Sequence, residues 1–174
     1  MAGNEKEISG LCMSCGLCCD GTLFPYGFIR DEADRKVADD LGLSVTEIKE
    51  KLLFKMPCAC FSGCCTAYNK PRPYTCSAFF CPPVKKYRHG EQTFEDAEQQ
   101  VRLFKEHRDK LLKAASQFSE LADLSFTVLR DLLEESAEDE TFVSKYPQLY
   151  LTLFIFRDMY SRYFKPADKD KLVV

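Results

Sequence analysis

The chain contains 174 residues, of which 45% are hydrophobic and 29% are charged, so it is long enough to bury an ordinary apolar core. These proportions exclude a disordered or collagen-like chain. The formal net charge of -3 gives no electrostatic reason to expect nucleic acid or an anionic membrane as a partner.

The unusual feature of the composition is ten cysteines, all of them between Cys12 and Cys81. The opening residues, MAGNEKEISG, lack the apolar segment of a secretory signal, which predicts a cytoplasmic protein. In that compartment a dense set of cysteines favours metal binding or redox chemistry over a disulfide framework. The most apolar stretch, residues 149–156, is too short to cross a bilayer, which takes about 20 residues. No membrane span is predicted.

The first cysteine group lies in residues 11–29, which we predict to form a loop. It reads C-x2-C-x2-C-C and contains Cys12, Cys15, Cys18 and Cys19. A C-x2-C turn places two thiolates within reach of one metal ion. Three cysteines at this spacing are also typical of the run that holds a [4Fe–4S] cluster in ferredoxins. Because adjacent side chains point in different directions, we expect Cys18 and Cys19 to serve different metals, or one of them to lie behind the ligands.

Two short spacer helices are predicted in residues 31–55. The first covers the sequence DEADRKVADDL. A capping box from Ser44 to Glu47 indicates the start of the second helix. That helix would carry one apolar side made of Val45, Ile48, Leu52 and Leu53.

The second cysteine group lies in residues 57–83, where frequent prolines predict loops and turns. Its cysteines are Cys58, Cys60, Cys64, Cys65, Cys76 and Cys81. Their gaps suit zinc pairs and cluster ligation equally, and Cys81-Pro82 is similar to the Cys-Pro that closes bacterial ferredoxin motifs. The pattern leaves open which of Cys58, Cys60 and Cys64 are ligands.

The rest of the chain predicts helices. Apolar residues recur at spacings of three, four or seven from about Thr93 to Phe118, a second helix is predicted over residues 121–133, and a third runs from Pro147 to about Phe164. Aromatic residues lie all round the third helix, so we expect it to be buried centrally. The predicted fold is mostly α, with an irregular cysteine-rich metal-binding lobe (residues 1–90) packed on a C-terminal helical bundle (residues 91–174).

In these two cysteine motifs the chain resembles the YkgJ-type cysteine-cluster family, which is described as a zinc- or iron-chelating domain. The first motif of the family matches Cys12, Cys15, Gly16, Cys18 and Cys19. The second motif matches Cys65, Tyr68, Arg72, Pro73 and Cys76. Pro71 is an extra residue within the second motif, and Ser77 stands where the family usually has arginine. The resemblance implies metal chelation; some members are similar to cluster-containing flagellin lysine N-methylases, which implies protein lysine N-methylation as an alternative function.

From these observations we predict that the partners are metal ions and the cofactor is an iron–sulfur cluster, which the C-x2-C-x2-C run favours, or zinc. Folding of the lobe should then depend on the metal, because the lobe has few apolar residues to bury. His89 could complete a Cys₃His zinc site, although a position in an exposed turn is the preferred interpretation. Arg72 either contacts the metal centre or an anionic substrate, or it faces solvent in a salt bridge. The sequence contains no nucleotide-binding or hydrolase motif. It leaves the protein partner and any catalytic residues open. The predicted metal ligands are Cys12, Cys15, Cys18, Cys19, Cys58, Cys60, Cys65, Cys76 and Cys81.

Overall fold

The computed structural model describes residues 4–165, which fall into two compact units divided between Phe80 and Cys81. The described residues contain eight α-helices, one π-helical turn and three short strands. The expectation of a mostly α protein is therefore confirmed. The units divide ten residues earlier than the predicted boundary at residue 90, since Pro82–Arg88 forms a helix that groups with the C-terminal helices. Within the described range, no helix is both long and apolar enough to cross a membrane.

Helix α1 (Glu5–Cys15) occupies the start of the first cysteine group, where a loop was predicted. The side chain of Asn4 accepts a hydrogen bond from the backbone N–H of Lys6 at 3.0 Å and caps the first turn. Gly16 ends the helix in a left-handed conformation with φ of 76°. The prediction failed because glycine and cysteine dominate this segment and hide the helical pattern. Cys12 and Cys15 consequently lie one turn apart on the same helical face.

The first predicted spacer helix is confirmed as α2 (Glu32–Asp40), but the second prediction is wrong. Residues Val45–Ile48 and Lys51–Lys55 form strands β2 and β3, joined by a two-residue turn in which Lys49 and Glu50 both have positive φ. With β1 (Tyr26–Phe28) they complete an antiparallel sheet in the order β1-β3-β2. The β-branched residues in β2 favour a strand, and the turn lacks the Asn-Gly signal that usually reveals a hairpin.

The sheet gives the N-terminal unit an apolar core that the sequence did not predict. Phe54 is fully buried at the centre of a cluster with Ile29, Ala38 and Leu43. Gly27 lies opposite Phe54 in the sheet, and a Cβ atom at position 27 would meet the Phe54 ring at 2.1 Å. The expectation that this lobe lacks apolar residues to bury is therefore wrong. Part of its stability comes from ordinary hydrophobic burial.

The C-terminal unit consists of five α-helices and a π-helical turn. Their ranges are α4 (Pro82–Arg88), α5 (Phe94–Ala115), α6 (Phe126–Glu135), α7 (Glu140–Lys145), α8 (Pro147–Met159) and the π-helical turn (Tyr160–Phe164). The long helix α5 confirms the predicted one, and Thr93 and Asp96 form its capping box. Phe104 of α5 stacks against Phe156 and Phe164, with ring centroids 4.4 and 4.2 Å away.

Two details of the predicted helices differ from the structure. Helix α6 begins at Phe126 and not at residue 121, and it buries Phe126, Leu129 and Leu133 while Val128 is 51% exposed. Helix α8 begins at Pro147 as predicted, but it is not buried all round, since Phe154 is 69% exposed. Aromatic residues can lie at the surface as well as in the core, so the composition of α8 did not reveal which of its sides is exposed.

Replacing Phe104 with alanine should destabilise the C-terminal unit by about 3–5 kcal/mol, because it removes a fully buried ring and leaves a cavity. Phe154→Ala is the matched control, since it removes the same side chain from a largely exposed position in the same unit. Urea unfolding followed by far-UV circular dichroism measures both variants. Equal losses for the two would contradict the assigned core.

Candidate metal centre

The two cysteine groups are joined by backbone hydrogen bonds within the N-terminal unit. The N–H of Cys58 donates to the carbonyl of Cys19 at 2.7 Å, and the N–H of Cys65 donates to the carbonyl of Met13 at 3.3 Å. These bonds fix the second group against α1 and the turn that follows it. The side chains of cysteines about 40 residues apart in the chain are thereby brought to one side of the unit.

A ring contact reinforces this pairing at the end of α1. The ring of Phe61 lies against Gly16 so closely that a Cβ atom at position 16 would stand 2.0 Å from it. Glycine is required at position 16 for two reasons: the backbone has a positive φ, and the Phe61 ring leaves no room for a side chain. The sequence analysis recognised Gly16 as part of the first motif but missed Phe61. A lone aromatic residue between cysteines gives no signal of the backbone that it covers.

A third segment brings Cys76 to the same side. Helix α3 (Tyr74–Ala78) is held by Asp34, whose carboxylate accepts the backbone N–H of Tyr74 at 2.6 Å and the N–H of Arg30 at 3.0 Å. The hydroxyl of Thr75 donates to the carbonyl of Phe28 at 2.6 Å. Asp34 is 6% exposed and was missed by the sequence analysis, because its helix reads as an ordinary charged surface helix.

Seven of the predicted ligands form one electrostatic neighbourhood, which we call the thiol cluster. The charge of a Cys19 thiolate is repelled by the sulfurs of Cys58, Cys65, Cys76 and Cys15, so Cys19 is a hub of the cluster. Cys58 likewise has four sulfur neighbours. Further repulsions link its members in pairs, Cys12 with Cys15 and Cys58 with Cys60. The members of the thiol cluster are Cys12, Cys15, Cys19, Cys58, Cys60, Cys65 and Cys76.

Four members of the thiol cluster, Cys12, Cys19, Cys58 and Cys76, are kept protonated at neutral pH by their surroundings. Burial, followed by the neighbouring sulfurs, raises the pKa of Cys19 and of Cys76 from 9.0 to about 12. The same causes raise the pKa of Cys12 to about 11, and burial also raises the pKa of Cys58. Such thiols are poor nucleophiles in the metal-free protein, since the thiolate is the reactive form.

The three cysteines outside the thiol cluster, and Cys60 within it, lie in different surroundings. Cys18 is half-buried in the turn after α1, Cys64 is exposed, and Cys81 belongs to the C-terminal unit, where it is the N-cap residue of α4. The thiol of Cys60 donates a hydrogen bond to the carbonyl of Leu41 at 3.6 Å, so it faces the apolar cluster. None of the ten cysteines, all of which lie among the described residues, forms a disulfide bond.

As the side chains stand, the thiol cluster is not closed around a metal position. Among the described residues, no three cysteine, histidine, aspartate or glutamate side chains are placed so that they could hold one ion. Tetrahedral zinc needs sulfurs about 2.3 Å from the metal, and hence about 3.8 Å from one another. Cys58, Cys60 and Cys76 instead pack against the apolar cluster. This is the arrangement expected of protonated thiols, which behave as small hydrophobic groups.

Two polar residues from the sequence analysis have clear positions. The guanidinium of Arg72 lies over the ring of Tyr68, with its Cζ atom 4.1 Å from the ring centroid. Its positive charge acts to lower the pKa of Cys12 and of Cys76, against the larger effect of burial. Arg72 is therefore at the thiol cluster. His89 lies in the C-terminal unit, where its exposed ring is 3.5 Å from the carboxylate of Glu91. The prediction of an exposed turn histidine is confirmed.

Comparison of the chain with models of known protein families, with characterised proteins and with solved structures finds no match. The resemblance to the YkgJ-type family consequently stays a prediction from the two motifs. Any account of function depends on the geometry of the thiol cluster itself.

Gly16→Ala should destabilise the N-terminal unit by at least about 1–3 kcal/mol, because the substitution strains a positive φ and pushes the Phe61 ring away. Gly10→Ala is the control: it lies inside α1 and a Cβ there meets nothing within 4 Å, so it should be neutral or slightly stabilising. Hydrogen exchange of the N-terminal unit, read by mass spectrometry, distinguishes the two. Protection unchanged by Gly16→Ala would contradict the close approach of Phe61.

Alkylation of the metal-free, reduced protein should depend on pH in a residue-specific way. Iodoacetamide attacks the thiolate, so at pH 8 exposed Cys64 should react at least about tenfold faster than Cys12, Cys19 or Cys76, whose raised pKa leaves little thiolate. Raising the pH should accelerate the three slow sites up to pH 11 or 12. Peptide mapping at several pH values measures each rate. Uniform rates in the folded protein would show that the cluster is not buried as described.

Proposed function

We propose that this protein binds a metal centre through the thiolates of the thiol cluster, as an iron–sulfur cluster or, second, as zinc. The observation that carries the proposal is that cysteines of separate segments meet in one unit. Backbone hydrogen bonds join the segment of Cys19 to that of Cys58, and the charge of a Cys19 thiolate is affected by sulfurs of three segments. Neutral thiols that are buried for packing do not repel one another, but thiolates at these positions would. A bound cation would offset that repulsion and favour the thiolates.

The energetics of ionisation support the same function. The raised pKa of Cys12, Cys19 and Cys76 reflects first burial and then the charges of neighbouring sulfurs. A metal cation favours the thiolate strongly enough to deprotonate a coordinating thiol outright. Binding should therefore release protons, and the affinity for metal should rise with pH over the range in which the free thiols are protonated.

Binding in this scheme requires a small local rearrangement. The thiols that pack against the apolar cluster have to rotate about their χ1 angles toward a common point. The two backbone hydrogen bonds and the Phe61–Gly16 contact hold the peptide chain while the side chains turn. Since the unit also has an apolar core, we expect metal binding to order the cysteine segments and to stabilise a fold that is already present.

One feature favours an iron–sulfur cluster over a single zinc ion, namely the C-x2-C-x2-C run, which has the spacing of cluster-binding proteins. The number of thiols does not discriminate, because both centres take four thiolates. When bound, an iron–sulfur cluster supplies one-electron redox chemistry. Protein lysine N-methylation, the alternative implied by the family resemblance, gains no additional support from contacts among the described residues.

Elemental analysis and the visible spectrum of anaerobically purified protein test the proposal. We expect iron with acid-labile sulfide and broad visible absorption; colourless protein with stoichiometric zinc would keep metal binding but change the metal. Cys19→Ser should remove most of the metal, because it deletes the hub of the thiol cluster. Cys64→Ser should keep it, because this thiol is exposed.

The circular dichroism spectrum and melting temperature of both serine variants establish whether they fold. A folded Cys19→Ser protein with its full metal content would rule out the assigned hub. Wild-type protein that contains no metal, and takes up neither Zn²⁺ nor reconstituted iron and sulfide, would overturn the proposed function as a whole.

A further inference from the structure

The two edges of the three-stranded sheet lie in different surroundings. Because β3 is in the centre, β1 and β2 are the edge strands. The β1 edge is covered by α3: the carbonyl of Phe28 points away from β3 and accepts a hydrogen bond from the hydroxyl of Thr75 at 2.6 Å. At the outer edge of β2, by contrast, no hydrogen bond from any of residues 4–165 is formed. In the described chain the sheet is therefore closed on one side and open on the other.

The register of the hairpin shows which backbone groups of β2 are open. The N–H of Lys55 donates to the carbonyl of Ser44 at 2.9 Å, so these two residues form a hydrogen-bonded pair. Because bonded and non-bonded pairs alternate in an antiparallel ladder, Thr46 also bonds to β3, whereas Val45 and Glu47 do not. The N–H and C=O groups of Val45 and Glu47 consequently point away from β3, and no described residue bonds to these four groups.

Strand β2 lacks the features that usually prevent an edge strand from pairing with another chain, such as a proline, a lysine or a bulge. Its sequence is VTEI, and it pairs with β3 residue for residue. The open edge is short, because the N–H of Leu43 is already bonded to the carbonyl of Ala38 at 3.0 Å and Lys49 has a positive φ. It consists of the two N–H and two C=O groups of Val45 and Glu47.

We infer that this edge is an interface between two copies of the chain, in which β2 pairs antiparallel with β2 of the second copy about a twofold axis at Thr46. Directly opposite residues lie on the same face of a sheet, and Val45 and Glu47 share a face. In this register Val45 lies opposite Glu47 of the second copy, and Glu47 lies opposite its Val45. All four open groups of each strand are then paired, in four hydrogen bonds. The pairing does not require the metal centre.

The neighbouring registers are less favourable. With the axis at Glu47, two carboxylates lie directly opposite each other, which is destabilising, and Val45 faces Lys49 in the turn. With the axis at Val45, Glu47 faces Leu43, whose N–H is already used. The register at Thr46 places two threonines opposite each other, and such pairs stabilise antiparallel sheets. This self-complementarity of β2 favours a second copy as the occupant of the edge.

Sedimentation velocity of the full chain in reductant, at concentrations from about 10 μM to about 1 mM, tests the pairing. Because only four residues of each copy contribute, we expect a weak dimer whose population rises with concentration. Glu47→Pro should abolish the dimer, since proline removes an outward N–H, and with it two of the four hydrogen bonds, but no bond to β3. Glu47→Gln is the matched control. It keeps the N–H and removes two like charges about 7–8 Å apart across the axis, so it should dimerise at least as well as wild type.

A charge swap at the axis tests the register. Thr46→Lys and Thr46→Glu each place two like charges opposite each other, so each variant alone should be monomeric. An equimolar mixture should restore a dimer, because the opposed charges then have opposite signs. Circular dichroism of each variant, Glu47→Pro included, establishes that it folds. Two folded Thr46 variants that fail to associate on mixing would overturn the inference.

Amide exchange followed by NMR at low and high protein concentration reports the pairing residue by residue. The amides of Val45 and Glu47 should exchange several-fold more slowly at high concentration, whereas the amide of Thr46, which is bonded to β3 in each copy, should not change. A chain that stays monomeric at about 1 mM would overturn the inference and leave the edge to an extended segment of another protein. A dimer that survives Glu47→Pro would also overturn it, in favour of another surface such as the exposed apolar residues of α8.

Discussion

The N-terminal unit depends on how two short cysteine-containing segments are joined. The hydrogen bonds from Cys58 to Cys19 and from Cys65 to Met13 involve only backbone atoms, so they leave the thiols free for other contacts. Phe61 covers Gly16 at the same junction and excludes any larger residue there. With the backbone fixed in this way, the sulfurs lie close together whether or not they coordinate a metal. The geometry of the thiol cluster therefore follows from the pairing of the segments.

Ionisation of the thiol cluster would place like charges near one another, and burial disfavours it further. Burial raises the pKa of Cys58 and Cys76, and these two thiols pack together with Cys60 beside Phe54 and its neighbours. The apolar core of the unit and the cysteine segments are therefore in direct contact, so a change in one should affect the other.

The C-terminal unit is organised on different physical grounds. Its core is a conventional contact among helices, in which Phe104 stacks between Phe156 and Phe164. Glu120 accepts hydrogen bonds from Lys145 and from the hydroxyl of Tyr146, which joins the loop before α6 to the start of α8. The exposed apolar residues of α8, including Leu151 and Phe154, lie on the side away from these contacts.

Local sequence patterns determined the helices that have strong signals: α2, α5 with its capping box at Thr93, and the start of α8 at Pro147. Cysteine spacing predicted nine metal ligands, of which seven lie in the thiol cluster, whereas Cys18 and Cys81 lie outside it. Only the tertiary structure decided that residues 45–55 form a hairpin. Lys49 and Glu50 adopt positive φ in the turn, and neither residue type is typical of such a turn. It also decided the positions of Asp34, Phe61 and Arg72 at the cysteine segments. Those three act through partners distant in the chain, and a linear pattern contains no information about such contacts.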